Sequence, residues 1–283
     1  MKVKIISALI VLTLASMACG VNIDLPKGNE PGPLVTDQIT VPVPKSDGTR
    51  LKLSFGAGDL LLSRGAEKNL VEGTATYNYE QFKPVVSTDG SDVGIQMGDI
   101  KFNGFPSFND LKNKWDFKLG PDPMELVIEA GAYNATYEFG GLSLTDLSIK
   151  DGAAHVELAF SQPNQAEMSL LRYETGASNI KMTGLANANF SMLTFNGGAG
   201  DYTLDFSGEL QRDASVNIET GLSNLILVIP DGINAVVTVD SGVSNINAGP
   251  GWGQNGDRYT RKGDGSTLTI VVEMGAGNLT LTR

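Results

Sequence analysis

The sequence predicts an all-β fold, a single-stranded parallel β-helix-like solenoid with rungs of about 22 residues. Three observations predict it. One phrase recurs eight times: apolar, any residue, apolar, two residues, a glycine, small residues, an Asn-type residue, then apolar, any residue, apolar. The spacing of two within each apolar pair puts both side chains on one face of a strand. From Gly131 to Gly242 successive glycines lie 21 to 24 residues apart, the range in which self-similarity marks stacked repeats.

The anchoring glycines are Gly56, Gly131, Gly152, Gly176, Gly198, Gly221, Gly242 and Gly275. Apolar residues stand five and three before each (Leu51 and Leu53 in the first copy, Val216 and Ile218 in the sixth) and four and six after (Leu60 and Leu62, Leu225 and Leu227). All thirty-two such positions are apolar in a chain that is 41% apolar. Each phrase therefore reads as strand, turn, strand, with the glycine at a sharp corner that favours positive φ. The slot three after it holds Asp59, Asn134, His155, Asn179, Asp201, Asn224, Asn245 and Asn278, whose amides can bond from rung to rung. Successive copies are expected to pile directly over one another, with rungs about 4.8 Å apart.

Four segments follow in order. Residues 1–18 open with Lys2 and Lys4, run apolar from Ile5 to Leu14 and end in small residues, the order of an export signal. Residues 19–48 carry Pro26, Pro31, Pro33, Pro42 and Pro44 and read as a semi-extended tether. Residues 49–125 hold the first copy and then interrupt the repeat. Val93, Ile95 and Met97 alternate there, as do Trp115, Phe117 and Leu119, around a Gly- and Pro-rich loop from Phe102 to Asp110. Residues 126–283 carry the remaining copies, with an insertion from Gly249 to Gly265 before the last. Unusual segments at the ends are expected to cap the unpaired strand edges.

The sole cysteine, Cys19, follows Ala18 and precedes Gly20. The site resembles a bacterial lipobox, with Ser16 where the commonest form has Leu, and implies lipidation of Cys19 and anchoring at the outer face of the cell membrane. With one cysteine there is no disulfide and no Cys-based metal or redox pair. The net charge is −11, and removal of residues 1–18 makes it two units more negative. Such acidity argues against nucleic acid and against lying flat on anionic lipid.

Three stretches carry a family resemblance: the Gly-Ala-Gly-Asp/Asn phrase at Gly56–Asp59, Gly198–Asp201 and Gly275–Asn278; Leu70-Val-Glu-Gly-Thr; and Asn113-Lys-Trp-Asp-Phe. With the late Trp252, Gly256 and Tyr259 insertion, they resemble the toast-rack domains of bacterial envelope proteins from about residue 50 onward. Related domains are labelled candidate adhesins, or form the extracytoplasmic module of LiaF-like antibiotic-response proteins. The resemblance implies a β-solenoid and an envelope location, and supplies no catalytic residue.

The residues themselves offer little chemistry. His155 is the single histidine and sits in the Asn-type slot, so neither a Ser-His hydrolase nor a zinc site is expected. Gly197 to Asp201 lacks the nine-residue period of calcium-binding repeats, and Asp89, Asp92 and Asp99 read as solvated turn charge; no metal and no cofactor are expected. Outward columns four before and five after the anchors are mild, with Glu157 beside Lys181 the one charged pair. Trp252, Arg258, Tyr259 and Arg261 form the candidate binding loop, a basic aromatic patch on an acidic chain, and the alternative is that Trp252 and Tyr259 cap the last rung. The resulting expectation is a non-enzymatic envelope protein, an interaction or structural module with an envelope protein or cell-wall glycan as partner. An adhesin or glycan binder using residues 249–265 and a polysaccharide-acting enzyme are the alternatives.

Overall fold

In the computed structural model the described residues are 31–46, 48–98 and 111–283. Apart from Pro31 they belong to one compact unit, Gly32–Ile100 with Leu111–Arg283. The export signal, Cys19, the start of the tether and the Phe102–Asp110 loop lie outside the described residues.

The described residues are all-β, with two 3-10 turns and no α-helix among them. Six strands precede the main repeats: β1 (Val35–Pro42), β2 (Thr49–Arg64), β3 (Asn69–Tyr77), β4 (Pro84–Asp89), β5 (Asp92–Met97) and β6 (Asn113–Leu119). The repeats supply β7 (Met124–Glu138), β8 (Leu144–Lys150), β9 (Ala153–Ala159), β10 (Met168–Thr183), β11 (Phe190–Asp205), β12 (Ala214–Val228) and β13 (Asn234–Ala248). After the insertion's β14 (Gly253–Asn255) and β15 (Arg258–Arg261) comes β16 (Thr267–Thr282).

Seven of the eight phrases run through their glycine as one strand, and only the third breaks there, into β8 and β9. Neighbouring copies pair parallel with like positions opposed. Leu171 meets Leu193, Tyr173 meets Phe195 and Ile180 meets Tyr202 between β10 and β11, and the same columns align across β11 and β12. Thirty of the thirty-two apolar positions are buried, and the other two, Ile246 and Ala248 of β13, are half-buried against the same core. Each buried Leu, Ile or Val contributes about 1.5–3 kcal/mol, so these columns dominate the stability of the unit.

Backbone contact, rather than φ, makes six of the eight anchor glycines obligatory, since a Cβ on each of them would lie under 3.0 Å from a neighbouring carbonyl oxygen. None of the eight has positive φ. They form a column in which each closely approaches the next: a Cβ on Gly131 would lie 2.4 Å from the carbonyl oxygen of Gly56, on Gly176 2.4 Å from that of Gly152, and on Gly198 2.5 Å from that of Gly176. Positive φ belongs instead to the second glycine of each Gly-Ala-Gly phrase, Gly58, Gly200 and Gly277. Beside this column the Asn-type slots form ladders: Asn278 Nδ2 donates to Asn224 Oδ1 and Asn224 Nδ2 to Asp201 Oδ1, both at 2.7 Å. Asn134 Nδ2 donates to Asp59 Oδ1 at 3.1 Å. A carboxylate can only accept, so Asp201 and Asp59 set the direction in which the amides point.

The order of copies departs from chain order at the end. The last, β16, lies between β12 and β13, paired parallel to both. The edge place falls to β13, whose later apolar positions are the half-buried Ile246 and Ala248, so the copy with the least apolar second half sits where burial is least.

At the other end β2 does more than begin the series. Its outer edge carries two short parallel strands, β5 beside Arg50–Ser54 and β6 beside Asp59–Arg64. Val93 and Ile95 thereby continue the Leu51 and Leu53 columns, and Trp115 and Phe117 continue those of Leu60 and Leu62. β4 then pairs antiparallel with β5, β3 with β6, and β1 with β3. The tether reading of residues 19–48 is corrected here: Val35–Pro42 is a packed strand, because its alternation buries Ile39 and Val41, and only residues before it retain the tether composition.

Candidate functional site

The insertion read as a binding loop is built as a hairpin. β15 pairs antiparallel with Ala235–Thr238 of β13, and β14 pairs with β15, so the hairpin covers the first half of the edge strand. Strand alternation then sorts the four candidate residues. Tyr259 and Arg261 turn inward and are buried, while Arg258 is exposed. The Tyr259 hydroxyl accepts a bond from Gln254 Nε2 at 3.0 Å. Trp252 is half-buried against the core, its indole N–H buried without a hydrogen-bond partner. Arg261 donates to the Ile229 carbonyl at 2.7 Å and pairs with Asp231. The four do not converge on one exposed patch: Tyr259 and Arg261 lie on the strand that covers the first half of β13, and Trp252 packs against the core.

Arg261→Ala is expected to lower stability by about 1–3 kcal/mol, the cost of leaving a buried carbonyl unpaired. The ion pair itself adds little, since Asp231 is 76% exposed. Arg258→Ala should leave the denaturation midpoint unchanged, and equal losses for the two variants would contradict the inward and outward assignment.

The richest outward column is two before the anchors, one that the sequence reading passed over. In sheet order it reads Ser54, Glu129, Lys150, Glu174, Asn196, Glu219, Glu273 and Asp240. Alternation alone would have flagged it, because a residue between an inward position and the corner must face out. Its first half is charge-balanced: Lys52 pairs with Glu129 at 2.8 Å, and Lys150 and Arg172 with Glu174 at 3.7 and 3.5 Å. Its second half places three exposed carboxylates, Glu219, Glu273 and Asp240, on adjacent strands, and none of them has an ion pair among the described residues.

A groove of about 530 Å³ crosses this column at its middle, bounded by Lys150, Glu174, Asn196 and Glu219 and floored by Gly197, Gly198 and Gly221. Beside its floor lies a buried polar cluster. Asp151 accepts hydrogen bonds from Tyr173 at 2.7 Å, Tyr133 at 3.2 Å and Thr175, and Tyr137 donates to the Tyr133 hydroxyl at 3.2 Å. Burial, followed by the neighbouring phenols and the Asp151 charge, pushes all three tyrosines well above the ordinary phenol range. Tyr202, in the next copy, is pushed up to about 12 by burial and by Asp151 and Asp201, and its buried hydroxyl has no hydrogen-bond partner among the described residues. Among the described residues no three His, Cys, Asp or Glu side chains converge as metal ligands.

These features define a class: a repetitive all-β protein with an apolar interior, a glycine corner column and polar outward columns repeating at strand spacing. The chain belongs to the toast-rack family, whose N-terminal domain (N-terminal domain of toast_rack, DUF2154) matches residues 30–182, more than half its length. Among solved structures it is similar to a "putative cell adhesion protein" from Clostridium sporogenes ATCC 15579, 21% identical over 88% of this chain and 99% of that one, TM-score 0.48. It is also similar to a "putative adhesin" from Bacteroides fragilis NCTC 9343 (10% identity, 90% and 100% covered, TM-score 0.34). A "putative lipid binding protein" from Parabacteroides distasonis ATCC 8503 gives 15% identity, 89% and 98% coverage and TM-score 0.35. At these scores the likenesses carry no argument about activity. No curated protein matches the chain.

Proposed function

We propose that this chain is a non-enzymatic cell-envelope protein, exported and held at the outer face of the cell membrane by a lipid on Cys19, whose β-solenoid serves as an interaction or structural module. The observation that carries the reading is the division of labour among columns. Inward ones are apolar and in register, while outward ones repeat polar and charged groups strand after strand, a surface suited to an extended or repetitive partner. Family membership supports the same reading.

Mass spectrometry of the mature N-terminus is expected to give a chain starting at lipid-modified Cys19, and Cys19→Ala should release the protein from membranes. An unmodified Cys19, or cleavage elsewhere, ends the anchoring part of the reading. Retention of the purified protein on isolated envelopes tests the interaction part.

A polysaccharide-acting enzyme is the second reading, favoured by the side-by-side Glu219, Glu273 and Asp240. Acid and base roles require environments that separate two carboxyl groups, and these three share one solvent-exposed face. Release of reducing ends from a polysaccharide, lost in Glu273→Gln, would install this reading in place of the first.

A further inference from the structure

We infer that the groove over Gly197 is a binding site for an extended neutral polysaccharide, lying along the stack and crossing β10, β11 and β12. The inference rests on the interaction-module reading and names a ligand class and a site for it.

The column immediately before the anchors carries side chains that fill the corner: Asp151, Thr175 and Thr220 are all buried there. At Gly197 the side chain is missing, and the ring of Tyr202 has moved into the vacated space. A Cβ on Gly197 would lie 2.6 Å from Tyr202 Cε2 and 2.9 Å from its hydroxyl. The hydroxyl thus comes up behind a residue of the groove floor, 1% exposed for the residue as a whole and with no hydrogen-bond partner among the described residues. Every other copy places an aliphatic residue at this position, such as Ile180 and Leu225 on either side. Packing alone would be served by Phe, and the phenolic oxygen is a destabilising feature unless a ligand or a bound water pairs with it.

Around that point the groove offers groups that bond hydroxyls. Glu174 and Glu219 accept, Lys150 donates, and Asn196 does both. The glycine floor lets a flat ring approach the backbone closely. Its volume lies in the range of small-ligand sites. The row repeats once per strand, about 4.8 Å, close to the rise per residue of an extended β-linked sugar chain, so successive sugars can meet equivalent positions on successive strands. An anionic polymer does not fit, because the row continues into the unpaired Glu219, Glu273 and Asp240. A metal ion does not fit either: the Asp151 carboxylate is already engaged by three hydroxyls and Glu174 by two cations.

The test is titration of the full chain with cellohexaose and chitohexaose as neutral probes and polygalacturonate as the anionic one. The wild type is expected to bind at least one neutral probe and not polygalacturonate. Asn196→Ala and Glu219→Gln, both at exposed positions, should weaken binding at least tenfold with unchanged melting. Tyr202→Phe should weaken binding while melting at the same or a higher temperature, a combination that a purely structural tyrosine would not give. Absence of binding to both neutral probes, wild-type binding by all three groove variants, or loss of binding on Arg258→Ala instead would overturn the inference. If envelopes still retain the protein in that event, the interaction reading stands and only this site falls.

Discussion

Gly200→Ala is expected to unfold the chain or to lower its stability by about 3–5 kcal/mol, the sum of backbone strain and overpacking in a structure that cannot shift. Gly200 has φ +153°, a conformation L side chains rarely adopt, and a Cβ there would lie 1.8 Å from the carbonyl oxygen of Ser178 in the neighbouring strand. That carbonyl is held by the parallel register of β10 and β11 on both sides of the corner, so relief would require separating two copies. Gly198→Ala isolates the steric part, because its φ is ordinary and its Cβ would meet the Gly176 carbonyl at 2.5 Å; about 1–3 kcal/mol is expected. Gly90→Ala is the control: its φ is +60° but nothing lies within 4 Å, so only the left-handed backbone cost of about 1–2 kcal/mol applies. Urea midpoints of the three variants should fall in that order. A Gly200→Ala protein as stable as the Gly90→Ala one would show that the copies are not in close backbone contact at the corner.

The second large effect is alkaline unfolding. Tyr133, Tyr137 and Tyr173 are buried around Asp151, and burial raises each phenol above its ordinary value of 10. Above pH 10 the unfolded chain loses these protons while the folded chain keeps them. The folded state then binds more protons, so stability falls as pH rises. Each phenol costs up to about 1.4 kcal/mol per pH unit, and because half of the unfolded phenols are already ionised at pH 10, the three together cost about 3 kcal/mol between pH 10 and 11. This is a large share of the 5–15 kcal/mol typical of a domain. Below pH 10 the contribution is fully present.

Denaturation midpoints followed from pH 9 to 11 should therefore drop steeply, with phenolate absorbance appearing together with loss of native circular dichroism. Tyr137→Phe removes one of these groups, whose hydroxyl bonds to Tyr133, and should reduce the slope by about a fifth, because Tyr77 and Tyr202, both pushed up to about 12, hold their protons through the same window. Phenolate forming near pH 10 in a chain that stays folded would show that these hydroxyls reach water.

Much of the architecture was legible because the repeat states it redundantly. The thirty-two apolar positions followed from spacing and nearly all are buried in register, and the Asn-type slots, once aligned, bond as ladders at Asn224 and Asn278. Val35–Pro42 was missed because prolines dominate the composition around a short alternating strand, and composition outweighs alternation when only Ile39 and Val41 are buried. Six of the eight anchors were read correctly as obligatory glycines but for the wrong cause, since φ is a local property and the approach of a neighbouring carbonyl is not. In the insertion, aromatic and basic residues gave the look of a ligand loop. Whether Tyr259 faces out or in depends on which strand the hairpin joins, and pairing with β13 turns it inward.

By itself the sequence determined which side chains share a face and where each strand bends, because both depend on residues within one copy. It did not determine the order of the copies. Insertion of β16 between β12 and β13 is a choice among equivalent parallel edges, made by long-range burial. That choice alone brings Glu273 between Glu219 and Asp240, three carboxylates that no sequence window contains. The Gly197 groove has the same origin: its walls come from separate copies, and the Tyr202 hydroxyl behind it acquires meaning only when neighbouring strands leave it without a partner.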